Sequence, residues 1–245
     1  MTLPSAEYGV RRLRDWDCIE SLDLDLLEST LRCVKQNGTL RPHMVNKAAF
    51  NEVDESDVPP DALGKFQTAW QTWLENSIAR SLPSKTGEQS PPMNIRVFIL
   101  EGFFLYPGDP ETGINDALHM QLYKLTRATL DMRLFLLASK DQVIMRRAQR
   151  MSCMTLKDFP TDPPGYVEHV VWPNYQREHS WMFINGDVAG MVIDQNRVRD
   201  QAVMVCPGKG QSNMGNILMW ALERIVDMLS TGFQEDFRKK PQQQS

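Results

Sequence analysis

Glu101 is the first side chain in this sequence whose type and position could support chemistry. It directly follows the apolar residues 97–100, which resemble a buried strand. Ligands of open α/β sheets bind beyond the carboxyl ends of strands. Mg²⁺ is often held through one or two carboxylates together with substrate phosphates. We therefore expect Glu101 to hold Mg²⁺, directly or through water; the alternative is a carboxylate that caps a helix or pairs with an arginine.

Three arginines in one predicted helix could bind phosphate. Arg146 and Arg150 are four residues apart and so lie on one helix face, and Arg147 is beside them in the chain. The planar guanidinium group matches the geometry of phosphate oxygens. The alternative is a solvated helix end, where cations offset the helix dipole.

The pair Trp16-Asp17 stands just before the first predicted helix. Asp17 is expected either to cap that helix, a frequent role of aspartate, or to accept hydrogen bonds from sugar hydroxyls beside a stacking Trp16. Two further aromatic segments, 162–166 and 172–175, are rich in turn residues and are consistent with packing alone.

The loop 206–212, with the sequence C-P-G-K-G-Q-S, joins a predicted strand to a predicted helix. Backbone N–H groups of such a loop and helix start can bind anions. However, neither this loop nor any other segment fits G-x-x-x-x-G-K-[ST], G-x-S-x-G or H-E-x-x-H. The sequence therefore offers an anion-binding loop without a standard phosphate-loop or hydrolase motif.

Hydrophobic periodicity predicts the elements that must position these residues. Apolar residues at three- and four-residue spacing indicate helices, and continuous apolar runs indicate strands covered on both faces. Gly38 is expected to end the first helix, and Asn185-Gly186 to form a tight turn. The predicted helices are 18–37, 62–82, 117–130 (an extra surface helix), 140–151 and 213–229, and the predicted strands are 97–106, 132–138 and 202–206.

Buried strands that alternate with helices predict an α/β fold with a parallel sheet flanked by helices. We expect a single domain over residues 1–231, with an exposed loop at 83–92 and a flexible tail at 232–245. Three strands are few for a parallel sheet that is covered on both faces.

Charge and composition exclude several classes of protein. The 245 residues include 27 Lys or Arg and 31 Asp or Glu, a net charge of −4. Nucleic-acid binders are usually basic, so no nucleic-acid partner is expected.

No apolar run approaches the ~20 residues that span a bilayer, and the first residues lack a signal-peptide pattern, so no membrane partner is expected. Four cysteines without CxxC spacing and four separated histidines argue against zinc and against a disulfide framework. Reduced thiols are typical of the cytoplasm or nucleus.

Six segments follow one another along the chain: W-D-C-I-E-S-L-D (16–23), V-F-I-L-E-G-F-F-L-Y (97–106), M-R-R-A-Q-R (145–150), D-P-P-G-Y (162–166), V-W-P-N-Y (171–175) and F-I-N-G-D-V (183–188). Together they resemble the nicotinamide riboside kinases, especially the fungal ones, which are uridine-kinase-like P-loop kinases. The resemblance runs from about Leu3 to about Leu229. It implies ATP- and Mg²⁺-dependent phosphorylation of nicotinamide riboside to nicotinamide mononucleotide, a step of NAD salvage.

The resemblance also implies a role for each matching residue. Trp16 and Asp17 match the pair that holds the nicotinamide ring and the ribose hydroxyls, and Glu101 matches a residue near Mg²⁺. The implied lid is about 145–175, and the implied catalytic residues are Glu101, Arg146 and Arg150. The implied substrate-binding residues are Trp16, Asp17, Arg147, Ser152 and Cys153, and the implied ATP-binding residues are Arg146, Arg150, Pro207, Gly208 and Lys209.

The sequence departs from this family at two places. In the family a first strand, a Walker A loop, a helix and a second strand precede the W-D segment, and nothing in residues 1–15 replaces them. We therefore expect a fold without these elements, from an incomplete gene model or a truncated isoform.

Two alternatives to an active kinase of nicotinamide riboside remain. One is an inactive remnant that acts as a binding protein, and the other is a kinase of uridine or another nucleoside. Ser152 stands where relatives often have an aromatic residue beside the nicotinamide, a difference that bears on selectivity for that ring.

Overall fold

The computed structural model describes residues 5–8, 11–41, 58–81, 96–111, 113–153 and 162–239, with side chains described over 13–41, 58–76, 96–111, 113–149 and 162–230. These residues fall into two compact units. The first draws on Met1–Glu52 and Val97–Val205, and the second on Val53–Arg96 and Cys206–Ser245. The expected single domain over 1–231 stays a prediction, and the expected loop at 83–92 lies outside the described residues.

Seven helices and four strands are found in the described residues. The helices are α1 (Leu24–Asn37), α2 (Pro60–Ser81), α3 (Ala117–Thr129), α4 (Lys140–Cys153), α5 (Trp172–His179), α6 (Gln195–Asp200) and α7 (Met214–Lys239), and the strands are β1 (Ser5–Tyr8), β2 (Arg11–Arg14), β3 (Leu134–Phe135) and β4 (Met204–Val205). The last helix continues to Lys239, so the expected tail is helical over 232–239. Residues 240–245 lie outside the described part.

Helix α1 begins later than its periodicity predicts. Asp23 is its N-cap, because its carboxylate accepts the N–H of Leu26 at 2.9 Å. The preceding residues form a separate 3₁₀ turn, Ile19–Ser21. The expected capping role of Asp17 is therefore wrong. The predicted stop is confirmed, since Gly38 lies in the left-handed region with φ of 63°.

Helix α3 is not the surface addition that the sequence predicted. Asp116 caps it by accepting the N–H of His119. Leu122 is fully buried in a cluster with Ile19, Leu24 and Phe104. The helix is therefore part of the core of the first unit and packs against α1.

Strands β3 and β4 form a parallel pair, with Leu134 opposite Met204 and Phe135 opposite Val205. The pairing of two of the predicted strands is thus confirmed, although each is shorter than expected. The predicted burial of 132–138 on both faces is wrong, because Leu136 is exposed between the buried Phe135 and Leu137. The described fold is mixed α/β with a small parallel pair and an antiparallel hairpin, β1–β2.

The predicted strand at 97–106 is wrong. No described strand pairs with these residues, and Ile99 is 89% exposed. The second half of the run turns instead and inserts Phe104 into the cluster between α1 and α3. An apolar run indicates a buried strand only when neighbouring strands pair with it, and pairing is a long-range property that the run itself does not encode.

A second cluster in the first unit surrounds Trp181, Met182 and Phe183. The tight turn predicted after Phe183 is confirmed, because Asn185 and Gly186 both have positive φ, 54° and 70°. Gly108 permits close packing here: a Cβ atom on this residue would lie 2.9 Å from the Trp181 ring.

The second unit is built on α2 and α7, which pack against each other. The indole N–H of Trp73 donates to the Ser230 hydroxyl at 2.9 Å. Leu222 is buried on α7, and a Cβ on Gly215 would lie 3.2 Å from Pro59. Both predicted helices are thereby confirmed over the described residues, as Pro60–Ser81 and Met214–Lys239.

His119 contacts two carboxylates, the exposed Asp116 at the start of α3 and the buried Glu178 on α5, and the second contact links the two helices. Its Nδ1 is 2.7 Å from Asp116 Oδ2, and its Nε2 is 2.7 Å from Glu178 Oε2. The hydrogen bond to Glu178 raises the pKa of His119 against the effect of burial, and Asp116 adds to the rise. Burial alone would raise the pKa of Glu178, but hydrogen bonds from His119 and Arg177 outweigh it and the net pKa is lowered.

The close approach of Gly108 to Trp181 predicts a stability difference between two glycine variants. Gly108→Ala should lower the free energy of unfolding by about 1–3 kcal/mol, because the new methyl group overlaps the indole. Gly64→Ala is the control, since nothing lies within 4 Å of its Cβ position on α2; it should be neutral or stabilising by up to ~1 kcal/mol. Urea unfolding of the two variants measures both, and equal effects would contradict the packing described.

The raised pKa of His119 predicts a pH-dependent contribution to stability. Because the pKa of His119 is higher in the folded protein, its interactions stabilise the fold fully at pH values below the unfolded-state pKa of about 6.5. This contribution is lost as the pH rises through the folded-state pKa. The stability difference between the wild type and His119→Gln should therefore shrink above pH 6.5, by at most about 1.4 kcal/mol per pH unit. Urea unfolding between pH 5.5 and 8.5 tests this, with the exposed His169→Gln as control. A difference that stays constant over this range would refute it.

Candidate functional site

A short segment between β2 and the first 3₁₀ turn, Asp15-Trp16-Asp17, forms the centre of the site. Asp15 is only 8% exposed. Its Oδ1 accepts the backbone N–H of Asp17 at 2.9 Å, and its Oδ2 accepts a hydrogen bond from Nδ2 of Asn174 at 2.7 Å. A buried carboxylate requires such donors, because an unpaired charge away from water is costly. The segment is thus fixed by its own buried acidic residue.

Two side chains from distant parts of the chain hold the backbone of the same segment. Nδ2 of Asn174, on α5, also donates to the carbonyl oxygen of Asp17 at 2.8 Å. The Tyr166 hydroxyl accepts the backbone N–H of Trp16 at 2.9 Å. Tyr166 is buried beside Leu13 and Val170. The chain around Trp16 and Asp17 is therefore fixed at both residues.

Arg147, on α4, bridges two carboxylates. Its Nη1 lies 3.1 Å from Asp17 Oδ1, and its Nε lies 3.1 Å from Asp162 Oδ2. All three side chains are partly exposed. The arrangement places hydrogen-bond donors and acceptors together at a solvent-accessible position, as recognition of a polyhydroxylated ligand requires.

Trp16 presents an aromatic surface beside these polar groups. Its side chain is 57% exposed, although its backbone N–H is bonded to Tyr166. The guanidinium of Arg14 lies 5.6 Å from the centre of its ring. An exposed tryptophan of fixed backbone offers a stacking surface for a planar ligand.

Burial and negative charge shape the acid–base properties of the site. Burial raises the pKa of the Tyr166 hydroxyl, and the nearby Asp17 and Asp15 raise it further, against the hydrogen bond from Trp16. Burial also raises the pKa of the Cys18 thiol to about 12, with contributions from Glu20 and Asp15. Both groups are therefore neutral at physiological pH.

The structure brings together three of the residues singled out in the sequence: Trp16, Asp17 and Arg147. Arg146 lies exposed on α4. The side chains of Arg150, Ser152 and Cys153, at the end of α4, lie outside those described. Their assigned roles stay predictions.

Glu101 is exposed and follows an apolar segment that is not a strand. Among the described residues there is no group of three or more His, Cys, Asp or Glu side chains that could hold a metal ion. One exposed carboxylate is too small a donor set to hold Mg²⁺ without substrate phosphates. The described residues alone therefore do not form a metal site.

The loop before α7 belongs to the second unit and contains the three other predicted residues. Gly208, Lys209 and Gly210 all have positive φ, at 88°, 49° and 76°. A Cβ on Gly208 would overlap the hydroxyl of Ser212, which donates to the Pro207 carbonyl at 3.0 Å. Glycine is thus required at position 208 by both conformation and space.

Sequence reasoning missed four residues of the site. These are Asp15, Asp162, Tyr166 and Asn174, of which the last three lie in the turn-rich aromatic segments that were also consistent with packing alone. The available signal was a polar residue within an otherwise apolar aromatic run, as at Asn174 in V-W-P-N-Y. A buried amide in such a run must find partners.

Within the residues described, no helix has the length and apolar character needed to cross a membrane. No protein-family model matches the chain, and no solved structure matches it.

Three curated fungal proteins, each named nicotinamide riboside kinase, are similar to the chain. The protein of Schizosaccharomyces pombe is 29% identical over 225 residues, which cover 91% of this chain and 80% of that relative. The protein of Saccharomyces cerevisiae is 28% identical over 76% of this chain and 64% of its own length. The protein of Eremothecium gossypii is 24% identical over 74% of this chain and 61% of its own length. The chain thus spans less than two thirds of the length of the last two. These relatives confirm the resemblance that its motifs indicate: the chain is similar in sequence to fungal nicotinamide riboside kinases over most of its length.

Proposed function

We propose that this protein is an ATP-dependent kinase that converts nicotinamide riboside into nicotinamide mononucleotide. The observation that supports it most is the convergence of Asp17 and Arg147, 130 positions apart, beside the exposed ring of Trp16. The names of the relatives supply the reaction. The site supplies groups suited to a ribonucleoside.

Each group at the site has a suitable role in binding a nucleoside. A carboxylate such as Asp17 accepts hydrogen bonds from the ribose hydroxyls, and a guanidinium such as Arg147 donates to the hydroxyl oxygens. The Trp16 ring stacks on the planar base. Asp162, bonded to Arg147, keeps the guanidinium from rotating away from Asp17. The residues thereby fix the ribose and leave its 5′-hydroxyl for the reaction.

The reaction is an in-line displacement. A bond forms between the 5′-oxygen and the γ-phosphorus of ATP, and the bond from that phosphorus to the β–γ bridging oxygen breaks, so that ADP leaves. The proton of the 5′-hydroxyl is released to water. Such catalysis consists mostly of positioning and charge neutralisation. We assign the phosphate contacts to Arg146 and Arg150, and the border of the adenine to Pro207, Gly208 and Lys209. With ATP bound, Glu101 would contribute one carboxylate oxygen toward Mg²⁺, which would neutralise phosphate charge.

A second candidate is a protein that binds nucleoside without transferring phosphate. It is favoured by one observation, that no segment of the 245 residues fits G-x-x-x-x-G-K-[ST].

A third candidate is a kinase of uridine or another nucleoside. It is favoured by Ser152, which stands where members of the family that the chain resembles often have an aromatic residue. Competition among nicotinamide riboside, nicotinic acid riboside, uridine and cytidine for binding separates the first and third candidates.

One pair of measurements tests the proposed activity against the second candidate. Calorimetry with nicotinamide riboside and with MgATP measures binding, and transfer of labelled γ-phosphate measures turnover. Binding of both and transfer to the riboside would support the kinase. Binding of the riboside alone would support the binding protein. The intact mass of the endogenous protein, measured with its N-terminal peptide, then identifies the form on which these assays must be repeated.

The proposed role of Asp17 predicts a selective loss of affinity. Asp17→Ala should raise the Kd for nicotinamide riboside at least about tenfold, since hydrogen bonds to a charged group are worth about 1.5–3 kcal/mol. Affinity for MgATP should change much less. Asp131→Ala is the matched control, because this carboxylate pairs with Lys35 at the surface and should leave both affinities unchanged. Equal losses for nucleoside and ATP would contradict the ribose role.

A further inference from the structure

We propose that Asn174 is a positioning residue that sets the affinity of the site for nucleosides. The inference rests on the proposed function and adds a residue that touches no substrate. Asn174 is 6% exposed on α5. It acts through the Asp15-Trp16-Asp17 segment, 157 to 159 positions away in the chain.

The chemistry of the amide explains why this position requires asparagine. One nitrogen, Nδ2, donates both of its hydrogens: one to Asp15 Oδ2 at 2.7 Å and the other to the Asp17 carbonyl at 2.8 Å. Both partners only accept, so a group with two donor hydrogens on one atom fits them. A hydroxyl would satisfy one partner, and a carboxylate would satisfy neither.

These bonds complete the immobilisation of Asp17. Asp15 holds the N–H of Asp17, and Asn174 holds both its carbonyl and the carboxylate of Asp15. The backbone of Asp17 is therefore fixed on both sides of its Cα, which determines where its side chain meets Arg147. A binding group held in this way loses little freedom when a ligand arrives, and affinity rises accordingly.

The test compares binding of nicotinamide riboside by calorimetry in four versions of the full chain. Asn174→Asp places a carboxylate against Asp15 and removes both donors, so Kd should rise about tenfold or more. In the double variant Asp15→Asn/Asn174→Asp the donor and acceptor exchange places, and the amide introduced at position 15 can still accept the Asp17 N–H. Affinity should recover most, but not all, of the loss, because the Asp17 carbonyl stays without its donor.

Thr126→Val is the matched structural control. The buried Thr126 hydroxyl donates to the Leu122 carbonyl within α3, so its loss should lower Tm without changing the Kd for the riboside. If Asn174→Asp does not fold, Asn174→Ala replaces it and should also raise Kd about tenfold. Circular dichroism and thermal melting monitor the fold of every variant.

The outcomes separate the inference from the function on which it rests. A folded Asn174 variant that lowers Tm but binds the riboside within about twofold of wild type would overturn the positioning role and leave the proposed function standing. Failure of the exchange variant to recover affinity would also overturn it. If the wild-type chain binds no riboside, both the proposed function and this inference fall together.

Discussion

The buried carboxylate of Asp15 is the constraint on which the site depends. Removing a charged group from water is tolerated only when donors surround it, and here the donors are the Asp17 N–H and the Asn174 amide. Because one lies in the same segment and the other on α5, satisfying Asp15 brings these two parts of the chain together. The positions of Trp16 and Asp17 follow from that requirement.

Helix α5 is the element that transmits this constraint to the rest of the first unit. Asn174 and Glu178 are four residues apart and so lie on one face of the helix, and both are buried. The first bonds to the Asp15-Trp16-Asp17 segment and the second to His119 on α3. The helix also packs through its rings, with Trp172 in the cluster around Phe183 and with His179 against Phe135. A buried polar face on a core helix thus specifies which neighbours it contacts.

The sequence alone predicts those features of the fold that neighbouring residues determine. The end of α1 at Gly38 and the turn at Asn185-Gly186 follow from residue conformation. Short apolar runs indicated where β3 and β4 lie, although their pairing joins residues 70 positions apart. Capping was harder to predict, because Asp17 and Asp23 both precede α1 and only the structure shows that Asp23 is the cap. The bonds of Asn174 and Tyr166 join residues about 150 positions apart, and no periodicity or spacing in a single sequence encodes such a pairing.

The groups proposed to bind the nucleoside and the carboxylate proposed to face Mg²⁺ are held by different parts of the structure. Asp17 and Arg147 are positioned by helices α4 and α5 and by buried hydrogen bonds, with no strand of the parallel pair involved. Glu101, in contrast, follows an apolar segment that has no strand partner among the described residues and is itself exposed. The geometry of the Asp17–Arg147 pair is therefore fixed without a contribution from Glu101. If the proposed function holds, nucleoside binding should persist when Glu101 is replaced and phosphoryl transfer is lost, so each property must be established by its own measurement.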